Sequence, residues 1–239
     1  MKLAFDRAVV YDVESFPNCF TLTACALHTW EISTSIDKHG QTHVRDDSTS
    51  LWQWCRVLAD DNVPMIGFNN VYYDYVILHE FLSGRLSMSS PEEIASELYR
   101  KTDQVINSID RFVHTVWDRD RIIPQIDLFK INHFDNRAKT TSLKALQIAM
   151  RSPSVVDMPV QPGTMLTREQ IDELLIPYNH HDVRETHRFA HYIRKAIEFR
   201  KGLIDEFGID VMNYNDTKIG AKLFEMRLGR DVTHDVDGQ

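Results

Sequence analysis

The sequence holds no apolar run of the roughly 18 residues that a membrane span needs, so nothing in it is built to cross a bilayer. Its opening stretch, MKLAFDRAVV, lacks a long apolar segment and carries an acid, Asp6, early, so no signal peptide is read there. Cysteine is scarce. Cys19, Cys25 and Cys55 are odd in number and are not spaced as a metal knuckle, which reads as reduced, buried thiols of a cytosolic protein. Positive charge is in deficit: 27 Lys and Arg against 35 Asp and Glu leave a net charge of −8. A general duplex-DNA binder would carry a basic face instead. The one basic-rich stretch, residues 183–230, has ten Lys/Arg against seven Asp/Glu and reads as a solvated helix face. Repeats and low-complexity segments are absent.

What is there is an ordinary globular composition, 43% hydrophobic and 26% charged over 239 residues, enough for one large domain or two small ones. Residues 8–13 read as a first strand, residues 20–30 as a second entered through the turn-like Phe16-Pro17-Asn18, and residues 31–43 as a third strand and a loop. A helix then carries Leu51, Trp54, Cys55 and Leu58 at helical spacing. Residues 63–68 form a short apolar run, read as a buried strand, and Asp74 opens a helix that Gly84 stops. Ser90-Pro91-Glu92-Glu93 is a helix start with the cap, the proline and the returning acid all in place. Residues 122–128 read as another buried strand with Asp127 near its end, favoured as a helix N-cap. Helices follow over residues 141–150, from a capping box at residues 167–170 to residue 175, from Pro177 to about residue 207 before Gly208, and over residues 216–228. Early hairpins followed by strand–helix alternation predict a mixed α/β sheet with helices on both faces.

Within that order three short patterns stand out. Asp12-Val13-Glu14 closes the first strand, and in a strand residues i and i+2 share a face, so two negative charges are aimed at one spot. Like charges that close repel and raise each other's pKa, which a cation relieves. Asn70-Val71-Tyr72-Tyr73-Asp74 follows the strand over residues 63–68. Tyr178-Asn179-His180-His181-Asp182 lies at the start of the long helix, where the i, i+4 spacing puts Tyr178 and Asp182 on one face. D-x-E and N-x-x-x-D each occur once in the chain. Y-x-x-x-D occurs a second time at Tyr99 and Asp103, which sit in a polar helix with no strand end beside them and are read as a decoy. Functional groups of α/β sheets gather at the carboxyl ends of strands, which is where the first two patterns fall.

In order and context these residues resemble the three exonuclease motifs of the DEDD (DnaQ-like) 3′–5′ exonucleases, in the subgroup with Tyr in the third motif. The subgroup with His five residues before the last Asp is excluded, because Pro177 stands there. IGFNNVYYDYVILH, TSLKALQ and LTREQIDELLIPYNHHDV look most like the proofreading domains of phage DNA polymerases. The resemblance implies a ribonuclease-H-like fold with a mixed five-stranded sheet, and a nuclease using two Mg²⁺ or Mn²⁺ ions held by carboxylate oxygens. It implies that Asp12 bridges both ions, Glu14 and Asp182 hold one, Asp74 holds the other, and Tyr178 orients the attacking water. It further implies that Asn70, Tyr73, Ser142 and Leu143 hold a single-stranded DNA 3′ end, with Ser15 and Phe16 beside the first motif and Phe16 or Phe68 stacking on a base. Packing or capping is the plain alternative for each of these.

Two departures qualify the resemblance. Ser15 stands where the first motif has Thr, keeping a hydroxyl. Related domains place a catalytic lysine between the second and third motifs. No lysine lies between Lys144 and Tyr178, so that role is absent or falls to Arg151 or a histidine. Three rival readings stand beside this one. A zinc module would use His180, His187 and His191, which share a helix face but lack the Glu of H-E-x-x-H. A silent exonuclease fold could serve as an interaction platform, and a free-standing DNA or RNA exonuclease is the third. The expected division is an exonuclease domain over residues 1–210 and a helix and tail over residues 211–239 joining a polymerase domain. The compartment follows as cytoplasmic, that of the host cell for a phage protein.

Overall fold

A computed structural model describes residues 5–86, 89–110, 112–133 and 141–228. Its centre is a six-stranded mixed sheet in the order β4-β3-β2-β1-β5-β6. β1 (Val9–Phe16), β2 (Cys19–Ala24), β3 (His28–Ile36) and β4 (Thr42–Asp46) form an antiparallel meander, while β5 (Met65–Gly67) and β6 (Gln125–Asp127) add parallel strands on the other side of β1. The mixed α/β class and the helices on both faces agree with the sequence reading; the strand count does not. The sixth strand is β4, whose THVRD is mostly exposed and has no apolar run to announce it. It is held by its register with β3, Ile32↔Asp46 to Ile36↔Thr42. The expected second strand over residues 20–30 is also two strands, parted by a 3₁₀ turn at Cys25–Leu27 in which Ala26 and Leu27 take left-handed φ of 69° and 58°. Neither residue type signals such a turn.

One face of the sheet carries Tyr11, Val13, Phe20, Leu22 and Ile32. These pack on Leu51, Cys55 and Leu58 of α1 (Ser48–Asp60), on Tyr75, Ile77, Leu78 and Phe81 of α2 (Asp74–Leu82), and on Ile94 and Leu98 of α3 (Pro91–Asn107). Ser90 and Glu93 close the expected capping box at the head of α3. β6 runs directly into α4 (Leu128–His133), and Ser142 caps α5 (Leu143–Ala149).

On the other face, Val10, Ile66 and Ile126 pack against Val183 and Phe189. These last belong to a helical run that starts at the Thr167–Gln170 capping box as α6 (Arg168–Gln170). It passes through one π turn (Ile171–Leu175) into α7 (Ile176–Tyr192). Pro177 has no N–H to give and its ring crowds the carbonyl four residues back, so a widened turn just before it keeps the helix continuous. The single long helix expected from Pro177 breaks instead at Ile193 (φ −97°, ψ 15°), after which α8 (Arg194–Phe207) ends at Gly208 in the left-handed region.

The segment after α8 is bound into this domain. Val211 and Met212 are buried. Asn213 accepts from the Asp127 N–H (2.8 Å) and donates to the Gln125 carbonyl (2.7 Å), closing the outer edge of β6 with a side-chain amide. Arg200, 1% exposed, donates to the Tyr214 carbonyl and to Asp216 at the start of α9 (Asp216–Leu228). Residues 229–239, the end of the expected junction, lie outside the described residues. Cys19 and Cys55 are free and buried; the Cys25 side chain is likewise outside the described set. No described helix is long and apolar enough to cross a membrane.

Candidate active site

The pairing of β1 with β5 covers only Val9↔Met65 and Val10↔Ile66, so β1 runs on past its parallel neighbour. Asp12 and Glu14 lie on this overhang. By strand alternation they face the same side as Val10, which is the side of α7. Asp74 fills the gap that β5 leaves: as the first residue of α2 it accepts the Val13 N–H at 3.3 Å. The chain reaches it through Asn69 in a left-handed conformation (φ 62°). Asp127 braces that turn, accepting from Asn69 N–H (2.9 Å) and Val71 N–H (3.3 Å) as well as from Phe129 N–H (2.9 Å) in the first turn of α4. The sequence-predicted N-cap is therefore observed, with a second duty.

Across from β1, the first turns of α7 deliver Tyr178, Asn179 and Asp182. Ligand oxygens of Asp12, Glu14 and Asp182 all lie within 4.8 Å of one another, a convergence of residues 170 positions apart in the chain. Among the described residues this is the one group of three that could hold a metal ion. The rival histidines do not form another: His180 bonds Thr29 (2.9 Å), and His187 and His191 are exposed. The decoy Asp103 is exposed on α3 and accepts from Asn107.

The charges are only partly compensated. Burial, then the charges of Asp74, Glu14 and Asp182, push the Asp12 carboxyl well above its usual range. Burial, Asp182 and Asp74 do the same to Glu14. Burial raises Asp74 to about 7 although the Val13 N–H and its own N–H favour the ionised form. Asp182 is raised by burial; Tyr178, His181 and Lys144 act the other way. Tyr178 is raised by burial and by Asp182 and Glu14, so its phenol keeps its proton at neutral pH. A half-buried, all-oxygen, multiply acidic donor set fits a hard divalent cation and little else.

The substrate candidates divide. Tyr73 stands at the site, its phenol raised by burial and by Glu14 and Asp74. Ser142 and Leu143 open α5; the Ser142 hydroxyl caps the Ala145 N–H. Of the other four, Ser15, Phe16 and Asn70 are built into the interior and Phe68 is half-buried. Ser15 points away from Asp12 and Glu14 by strand alternation and is buried. Phe16 is packed with Cys19, Val160, Leu166, Ile171 and Leu175, which leaves no ring face for a base. Asn70 is fully buried and donates to Gln125 (2.8 Å), and its Cβ would lie 2.6 Å from any Cβ placed on Gly67. Phe68 packs edge-on against Phe129 and Phe189.

Two residues of the site were missed in the sequence. Asn179 donates to Asp12 Oδ2 at 2.6 Å. The signal for it was periodicity: with Val183, Thr186 and Phe189 it forms the buried stripe of α7, and an amide in such a stripe must bond something. Lys144 is the other. It pairs with Asp157 and its charge acts on Asp182, whereas Arg151 is exposed after α5.

The fold and site thus define a mixed α/β protein with a carboxylate cluster at the end of its central strand. No family model and no curated protein matches the chain. Among solved structures it is similar to the family B DNA polymerase from the hyperthermophilic archaeon Pyrobaculum calidifontis, with a TM-score of 0.48 and 13% identity over 86% of this chain. The match spans 26% of that polymerase.

Proposed function

We propose that this protein is a metal-dependent 3′–5′ exonuclease that removes nucleotides from single-stranded or frayed DNA ends. On this reading it is the proofreading part of a phage DNA polymerase, with the exonuclease in residues 1–210 and the junction to the polymerase in residues 211–239. The observation that carries it is the convergence of Asp12, Glu14 and Asp182 from separate motifs, with Asp74 and Tyr178 beside them.

Hydrolysis of a phosphodiester needs a water placed in line with the leaving 3′ oxygen and charge neutralised on both sides of phosphorus. Asp12, Glu14 and Asp182 would hold one Mg²⁺ or Mn²⁺ ion and Asp74 would help Asp12 hold a second; bound there, the ions would supply Lewis acidity and offset the phosphate charge. Tyr178, kept protonated, offers a hydroxyl that orients the water without acting as a base. Tyr73, beside the cluster, and Ser142 and Leu143, at the head of α5, would contact the terminal nucleotides.

The test is degradation of 3′- and 5′-labelled single-stranded DNA and RNA with Mg²⁺ or Mn²⁺, using EDTA and Asp12→Ala as controls. Stepwise loss from the DNA 3′ end is expected. Asp12→Ala should lower turnover by at least ~10³-fold with its circular dichroism unchanged, since it removes metal ligands and no core volume. Unchanged turnover in that variant would sink the mechanism.

A further inference from the structure

We infer that Asn179 is a positioning residue for the metal centre, holding Asp12 so that one carboxylate oxygen stays free for a cation; this rests on the metal-dependent reading above. Asn179 is 0% exposed, and its Nδ2 donates to Asp12 Oδ2 at 2.6 Å, which fixes one oxygen of that carboxylate. Its own Oδ1 is buried without a hydrogen-bond partner. A residue serving only to fill the α7–sheet interface would be apolar, as Val183 and Phe189 are in the same stripe. Here an amide is kept with half its bonding capacity idle, and the half in use is spent on Asp12.

A second link fixes the same turn. His180 Nε2 meets the Thr29 hydroxyl (2.9 Å), which meets that of Thr23 (2.7 Å), and Thr23 is the register partner of Asp12 on β2. The turn carrying Asp182 is thus fastened to the sheet at Asp12 directly and beside it through Thr23. Only the first link touches a carboxylate of the cluster. Losing an outer hydrogen bond to a ligand typically costs about 10–100-fold in metal affinity.

The experiment is Mn²⁺ titration of the full chain followed by electron paramagnetic resonance, for wild type, Asn179→Leu, Asn179→Ala, Asn179→Ser and Thr29→Val, each checked by circular dichroism. Asn179→Leu should weaken Mn²⁺ binding at least ~10-fold. Asn179→Ser, which retains a donor, should weaken it less, and Thr29→Val should stay within about twofold of wild type. Should Asn179→Leu fail to fold, Asn179→Ala decides, and an unchanged affinity there overturns the inference. Equal losses in Thr29→Val and Asn179→Leu overturn it as well, because the effect would then be helix docking. So would a folded wild type that binds no Mn²⁺. Selective loss in the Asn179 variants, in a protein that cleaves no nucleic acid, upholds the positioning role and overturns the exonuclease reading.

Discussion

Without a cation the carboxylate cluster should make the protein less stable as pH rises. Asp74, 6% exposed, has its carboxyl raised from 3.8 to about 7, chiefly by burial. A group whose pKa is higher in the folded state favours folding most while protonated. That contribution is whole below the unfolded pKa near 4 and is lost as pH climbs through the folded value. The full effect for Asp74 alone is ~4 kcal/mol, of which roughly 3 kcal/mol develops between about pH 5 and pH 8. Asp12 and Glu14 are raised as well and act in the same direction. His79 and His180 oppose it, because burial lowers their imidazoles and their contribution grows with pH.

The assay is calorimetric melting in EDTA at about pH 5, 6, 7 and 8, for wild type and Asp74→Asn. At roughly 2–4 °C per kcal/mol for a chain of this size, the wild-type Tm should fall about 5–10 °C more than that of the variant. Mn²⁺ at about pH 8 should recover most of the loss. Parallel slopes for the two proteins would refute the reasoning, since Asp74 would then bear no uncompensated charge.

Other consequences are smaller in scope. Tyr178→Phe should lower kcat by about 10–100-fold, as loss of a water-orienting hydroxyl does, while the Mn²⁺ Kd by resonance titration stays within about twofold; a large loss of affinity would show that the phenol supports the metal instead. Arg168 joins Glu31 (2.6 Å) and Asp172 (2.8 Å), and both Arg168 and Glu31 are buried, so Arg168→Ala strands the Glu31 carboxylate against Ser33. Urea unfolding should show a loss of about 3 kcal/mol; a change under ~1 kcal/mol would mean that solvent reaches Glu31. Ser90→Ala removes the hydroxyl that caps α3 and should lower stability by ~1 kcal/mol with activity retained.

The parts legible in the sequence were those where local chemistry and final structure agree. The β-branched run into Asp12 and Glu14, the capping boxes at Ser90 and Thr167, and the i, i+4 pair Tyr178 and Asp182 all follow from one short segment each. β4 was hidden because an exposed edge strand needs no apolar alternation. The break at Ile193 was hidden because neither glycine nor proline marks it. Phe16 illustrates a third kind of failure. It shares the strand face of Asp12 and Glu14, and what covers its ring is Val160, Leu166 and Ile171, from segments about 150 residues away that only the fold brings in. Asn179 lies between two motif residues, and what marks it is its place in the buried stripe of α7.

The amide of Asn213 against β6 carries a lesson about handling this chain. A single side chain there answers both the donor of Asp127 and the acceptor of Gln125, as one residue of a seventh strand would. A chain cut after Asp210 would keep every residue of the acid cluster and yet bare that rim as a template for strand addition. Such a fragment should pair with itself or aggregate, and a loss of activity in it would say nothing about the chemistry. Where the protein is divided for study, the division belongs beyond Asp216, so that Asn213 and the Arg200 contacts travel with the sheet they complete.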